Sequence, residues 1–273
     1  MMEVVGRCRV PAVALALFLL GLLGTSSADG QSAETLMIAA SPSVKAPVEA
    51  LGQAFEAAHK DIQVRIYVDN GLDLRRTIAA MENRLNGQYA LASKGPIHLL
   101  APGGDELIAR LEQKYYVLPG TKRTYARERL VLVVPEELVE APASFADMQG
   151  SVKRLAVADP DRTVLGQQTK SLLQSVKFQG QLDMATDARG VLDHLLSGQA
   201  DAGVIFGQDA VKVQERVRVV AVAESGYEPT VHSMAMERYC PNRKLCEEFL
   251  AFVQSTEAQQ ILKGLGYAVP GER

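Results

Sequence analysis

Ser41 and Ser43 stand where the apolar run LMIAA ends and a helical pattern begins. Hydroxyls at such a junction serve one of two purposes. As a helix N-cap, a Ser contributes about 1 kcal/mol. Beside free backbone N–H groups, it helps to hold an anion. Three further junctions share this pattern of strand end followed by helix start: VDNG ending at Gly71, ADPDRTVLG ending at Gly166, and IFGQD around Phe206. Each offers unpaired N–H groups and the positive end of a helix dipole, about half an elementary charge. Ligands of open α/β sheets gather at the carboxyl ends of strands, so these four places can grip an anion without a Lys or Arg. For Ser41 taken alone, capping is the plainer reading.

The other chemistry-bearing residues form no constellation. There is no G-x-S-x-G elbow, no Walker-A loop, no H-E-x-x-H and no G-x-G-x-x-G. His59 and His194 fall on helical patterns and read as solvated. His98 and His232 fall in strand patterns, where a partly buried structural role is expected. Asp159 and Asp161 flank Pro160 and read as turn formers. Arg123, Arg127 and Arg129 read as a solvated face. No catalytic residue, metal site or cofactor is assigned, and the expectation is a binding protein and not an enzyme.

The elements that would position the four junctions alternate. TLMIAAS reads as a buried strand, and Val44 to His59 as a helix with Val44, Val48, Leu51 and Phe55 on one face. IQVRIYVD is a second strand, NGLDL opens a helix running to about Leu85, and NGQYALASKGP is a polar excursion. PIHLLAP is a third strand, followed by a helix with Asp105 as its N-cap. Three βα units in a row imply a parallel sheet with helices on both faces. RERLVLVVPEEL contains a strand buried on both sides, and ASFADMQG a short helical turn. RLAVADP, the strand in ADAGVIF, VRVVAVA and PTVHSMAM are further strands, with helices from Gly166 to Val176, after DARG, and around CEEFLAFVQS and EAQQILKGLGY. This order fits two α/β lobes joined by two crossing segments: lobe 1 at 34–125 with 223–273 returning to it, and lobe 2 at 126–222.

Arg7 and Arg9 precede an apolar run from Val10 to Leu23, and Ser26-Ser27-Ala28 supplies small residues after it. That is the pattern of a secretory signal peptide, 1–28, with Ala33 as the second candidate cleavage point. The apolar run of 14 residues falls short of the roughly 20 needed to span a bilayer. No Cys stands at the cleavage site after it, which argues against a lipid anchor. Without residues 1–28, the 29 basic and 32 acidic residues become 27 and 31, a net charge of −4. Nothing in that balance suggests nucleic acid. Trp is absent, so a stacking platform for bases or sugars is not expected. Cys240 and Cys246, in CPNRKLC, are a plausible local disulfide in an exported chain, and the sequence leaves their pairing open.

Five segments in order resemble the periplasmic molybdate-binding protein family of ABC transporters: IAAS, LRRTI, RLAVADPDRTVLG, DARG followed by IFGQDAV, and GYAVP. The likeness spans nearly the whole chain after the leader. It implies a type II periplasmic-binding-protein fold, two α/β lobes joined by a hinge with the ligand cleft between them. It further implies a periplasmic or secreted monomer that closes on a tetrahedral oxyanion such as molybdate or tungstate, without a cationic side chain. A membrane permease and an ATPase subunit are the implied partners. Carried over position by position, the ligand-binding residues are Ser41, Gly71, Leu165, Ala188 and Phe206, with Leu165 and Ala188 acting through their N–H groups. Gly71 and Phe206 stand where the family has a Ser and a Tyr hydroxyl. A hydrogen bond to a charged group contributes about 1.5–3 kcal/mol, so losing two weakens oxyanion binding by about a hundredfold or more. Asp69 and Asp73 bracket the second junction and repel an anion, while Asn70 and Ser43 are nearby groups able to compensate. A different small anion or an organic acid, or a ligand sensor that transports nothing, is the alternative.

Overall fold

The computed structural model describes residues 33–69, 90–91 and 95–271. The leader and the helix expected after NGLDL lie outside them, as do Gly71 and Asp73. The polar excursion is described only as a small hairpin of β3 (Ala90–Leu91) with β4 (Gly95–Pro96).

The first sheet starts from β1 (Glu34–Ala40), whose residues from Leu36 to Ala40 are buried. It pairs in parallel with β2 (Ile62–Val68) and β5 (Leu99–Ala101). A short 3-10 turn at Pro42–Val44 leads into α1 (Lys45–Ala58). Val44, Val48, Leu51 and Phe55 recur at helical spacing and are fully buried. Phe55 meets Phe249 and Phe252 of α7 (Arg243–Phe252). The order of this sheet is β2-β1-β5-β12-β6, with β12 (Val231–Met236) antiparallel to both neighbours. The βα units thus give the expected parallel core, and the returning chain completes it. Here β6 (Arg123–Arg127) is a correction to the sequence reading. Its arginines suggested a solvated face, yet Tyr125 and Ala126 are fully buried within the strand.

The second sheet has the order β11-β7-β10-β8-β9. Its interior strand β7 (Leu130–Pro135) is buried from Leu130 to Val134, as its unbroken apolar run requires. On one side lies β11 (Val217–Val222), antiparallel. On the other lies β10 (Ala202–Phe206), also antiparallel, followed by β8 (Arg154–Ala158) in parallel. The edge strand β9 (Gln181–Ala185) pairs in parallel with β8, and the sequence did not announce it. Helices α2 (Asp105–Gln113), α3 (Met148–Ser151), α4 (Val164–Ser175), α5 (Ala188–Leu196), α6 (Gly207–Val211) and α8 (Thr256–Gly264) complete the described elements. Asp105 is the first residue of α2, and Gly104 takes the N-cap position. The Asp105 carboxylate instead accepts from Lys122 Nζ and Ser233 Oγ, each at 2.6 Å.

Two segments cross between the sheets. Glu128 and Arg129 lead from β6 to β7, and the stretch from Ala223 to Thr230 returns from β11 to β12. They are laced together: Glu128 N–H donates to Thr230 O at 2.9 Å, and Leu130 N–H donates to Tyr227 Oη at 3.1 Å. A third contact joins the start of α6 to the chain end. Gly207 N–H donates to Arg129 O, and Arg129 Nε donates to Gly266 O at 3.2 Å. A Cβ on Gly207 would lie 2.3 Å from Gly266 O, so two backbones touch where no side chain fits. Cys240 and Cys246 are bridged, both buried against the first sheet.

Candidate functional site

Three helix starts border one cleft between the sheets. The first is the turn after β1, where Ser43 lines the cleft with Gly103. Ser41 lies just behind, 5% exposed, and its Oγ donates to Pro102 O at 2.7 Å. It makes no side-chain cap bond, so the plain capping role does not hold, and its proton is held by the loop after β5.

The second start is α4. Thr163 caps it, accepting from Gly166 N–H at 2.9 Å. The helix begins at Val164, two residues earlier than the sequence pattern suggested. Val164 and Leu165 occupy the first two positions, whose N–H groups have no intrahelical acceptor, and both residues line the cleft. Gly166 holds this end of α4 against the end of β8. A Cβ there would fall 2.4 Å from the Asp159 carbonyl carbon and 2.5 Å from Ala158 O and Asp159 O. The third start is α5, where Asp187 Oδ1 caps by accepting from Gly190 N–H at 2.9 Å. Ala188 is its first residue and also faces the cleft. Phe206, at the end of β10, contributes an apolar wall.

Of the five residues carried over from the resemblance, the cleft thus brings Leu165, Ala188 and Phe206 together. Ser41 stands one layer behind, and Gly71 lies outside the described residues. The cavity is about 430 Å³, within the range usual for small-molecule sites. Its lining includes no Lys or Arg among the described residues.

Sequence reasoning missed the floor. Glu128, Thr230 and His232 come from the two crossings and the start of β12, and all three line the cavity, as does Asp209. Far from belonging to a solvated run, Glu128 is 9% exposed. Its Oε1 accepts from Gln208 Nε2 at 3.2 Å and stands 3.4 Å from His232 Nε2. That second approach lacks the alignment of a hydrogen bond, and neither ring nitrogen of the fully buried His232 has a hydrogen-bond partner. Asp209 is paired with Lys212 at 2.9 Å. Burial pushes the Tyr267 hydroxyl up, and the negative charges of Glu128 and Asp209 push it further. His98, by contrast, takes the structural role expected of it: its Nδ1 accepts from Met37 N–H at 3.1 Å. No group of three or more His, Cys, Asp or Glu suited to a metal ion occurs among the described residues. The walls therefore supply donors to an anion, and the floor supplies a carboxylate.

A family model described as bacterial extracellular solute-binding protein matches residues 36–268. The chain is 25% identical over 247 residues to YvgL of Bacillus subtilis, assigned as an ABC transporter substrate-binding lipoprotein, with 89% of each chain covered. It is 21% identical over 241 residues to the molybdate-binding protein ModA of Mycobacterium tuberculosis, covering 88% of this chain and 87% of that one. Among solved structures it is similar to a substrate-binding domain assigned to a molybdenum ABC transporter from Clostridium difficile. That likeness has a TM-score of 0.73 at 20% identity, covering 86% of this chain and 98% of the other.

Proposed function

Because the chain belongs to the bacterial extracellular solute-binding protein family and carries a type II periplasmic-binding-protein fold, we propose that it captures a small tetrahedral oxyanion such as molybdate or tungstate outside the cytoplasm. It hands this ligand to the permease and ATPase of an ABC transporter. The observation that carries this reading is the cleft itself. Helix starts from both sheets bring N–H groups and the Ser43 hydroxyl to one cavity that has no Lys or Arg in its described lining. Such donors suit an anion. We place the lobes at 34–125 with 223–273, and at 126–222, after a leader of residues 1–28. The binding set is Ser41, Gly71, Leu165, Ala188 and Phe206.

The mechanism follows from that placement. The ligand first meets one lobe, and closure about the crossings at 128–129 and 223–230 brings the other lobe's donors to it. Contacts made only in the closed state drive the shift. A relative named as a molybdate-binding protein, and the resemblance of IFGQDAV to that family's motif, support the ligand class. Glu128 on the cleft floor favours a second reading, a different small anion or an organic acid in the same site. Calorimetric titration of the purified protein with molybdate, tungstate, sulfate and phosphate tests both. Micromolar or tighter binding of molybdate and tungstate, with the others weaker, is the expected outcome of the first reading. Heat from none of the four would sink the oxyanion assignment.

A further inference from the structure

The floor of the cleft has a chemistry that its walls do not. Thr230 Oγ1 already accepts a hydrogen bond from Gln168 Nε2 at 3.0 Å, so the proton of that hydroxyl is left to donate. Beside it, the hydrogen bond and the close approach made to Glu128 both run to Oε1. Its other oxygen is left to accept, and a carboxylate can do nothing else. His232, fully buried and without a hydrogen-bond partner on either nitrogen, borders the same cavity. Apart from the 3.4 Å approach to Glu128 Oε1, this buried imidazole has no polar partner, and such a group is costly unless something else in the cleft meets it.

A fully deprotonated oxyanion presents acceptors only. Turned towards Glu128 it would set lone pair against lone pair and charge against charge, in a cleft that excludes water when shut. An O–H group has the opposite property, because it donates to one neighbour and accepts from another. Glu128 and Thr230 offer that acceptor and that donor. We propose that this cleft selects small anions that carry their own O–H group, which binds at Glu128 and Thr230 while the charged end rests on the helix starts at Ser43, Leu165 and Ala188. This rests on the second reading above, a different small anion or an organic acid in the same site, and names its ligand class: a protonated oxyanion or a hydroxy acid, so that molybdate and tungstate, the ligands of the first reading, become the poorer ones.

The test uses matched pairs at pH 7.5 by calorimetric titration: hydrogen phosphate against sulfate, and glycolate against acetate. The first pair reports a protonated oxyanion and the second a hydroxy acid. In the native protein the O–H member of one pair is expected to bind at least about tenfold tighter, the worth of one hydrogen bond to a charged group. Glu128→Gln, which can donate where Glu cannot, should shrink that preference by about tenfold or reverse it. Molybdate or sulfate binding to the native protein as tightly as every O–H partner would overturn the selection while leaving the anion receptor standing. Silence from every anion, molybdate and tungstate included, removes the receptor reading and this inference together. The native comparison decides the matter even where Glu128→Gln does not fold. Where it folds and the ratio stays unchanged, Glu128 is not the selecting group and the proposal is wrong.

Discussion

Gly166→Ala is the substitution that most directly strains the geometry of the cleft. The new methyl would sit 2.4 Å from the carbonyl carbon of Asp159 and 2.5 Å from two carbonyl oxygens. Ordinary carbon contacts begin at about 3.5 Å, so the start of α4 must withdraw by about 1 Å. Both opposing groups are backbone, and no flexible side chain can turn aside to absorb the overlap. Crowding of this kind costs about 1–3 kcal/mol. At about 2–4 °C per kcal/mol for a chain of this size, the melting temperature should fall by about 2–12 °C. The same withdrawal carries the N–H groups of Val164 and Leu165 about 1 Å from the cleft, and anion affinity should drop by tenfold or more. Two controls calibrate the result. Thr163→Ala removes the cap without pushing the helix and should cost about 1 kcal/mol. Gly150→Ala, which meets nothing within 4 Å inside α3, should stabilise by about 0.4–1 kcal/mol. Scanning calorimetry reads all three. A Gly166→Ala protein that melts within about 1 °C of the native one would refute the packing of α4 against β8.

Three other outcomes are expected. Phe206→Tyr places a hydroxyl in the cleft wall and should tighten molybdate binding by about tenfold; a flat or weaker calorimetric isotherm would remove residue 206 from the ligand set. Burial holds the His98 imidazole below its ordinary 6.5, against the opposing pull of the Pro96 backbone and Glu34. The folded protein therefore takes up that proton less readily than the unfolded chain, so the ring's contribution is complete above pH 6.5 and is lost as pH falls through the lowered value. His98→Asn retains an acceptor for Met37 N–H and should flatten the acid-side decline of the urea unfolding free energy; an unchanged decline would contradict this. Reduction of Cys240–Cys246 should cost about 2 kcal/mol, as expected for a short loop. Urea midpoints that coincide with and without reductant would show that the bridge constrains nothing.

The strand and helix alternation is legible in the sequence because most strands here are short apolar runs set between turn residues, and α1 shows its buried face as a clean helical repeat. Besides the short hairpin of β3 with β4, two longer strands escape notice, and they do so for physical reasons. In β6, arginines at both ends conceal Tyr125 and Ala126, and the pairing partner β12 is remote in sequence. In β9, an edge position leaves Leu182 and Met184 exposed, so the strand has no buried alternation to display. The site divides in the same way. Leu165, Ala188 and Phe206 come from the family resemblance, and Leu165 and Phe206 also fall at junctions that the local pattern of strand end and helix start marks. Glu128 and His232 carry no such mark: one lies in a charged run, the other in an ordinary strand pattern, and only the meeting of the two crossings sets them at one cavity.

The place of β12 also governs the order in which the molecule can assemble. All five strands of the second sheet come from one unbroken stretch, Leu130 to Val222, so its contacts are close in sequence. The first sheet must wait for Val231–Met236 to slot between β5 and β6, pairing Met236 with Leu99 across more than half the described chain. Closing so long a loop is slow, and until it closes the flank of β5 offers unpaired backbone groups to any passing strand. Substitutions in β12 should therefore leave an early-folding half intact and a sticky, late-folding one behind, appearing as aggregation during production before any loss of ligand binding.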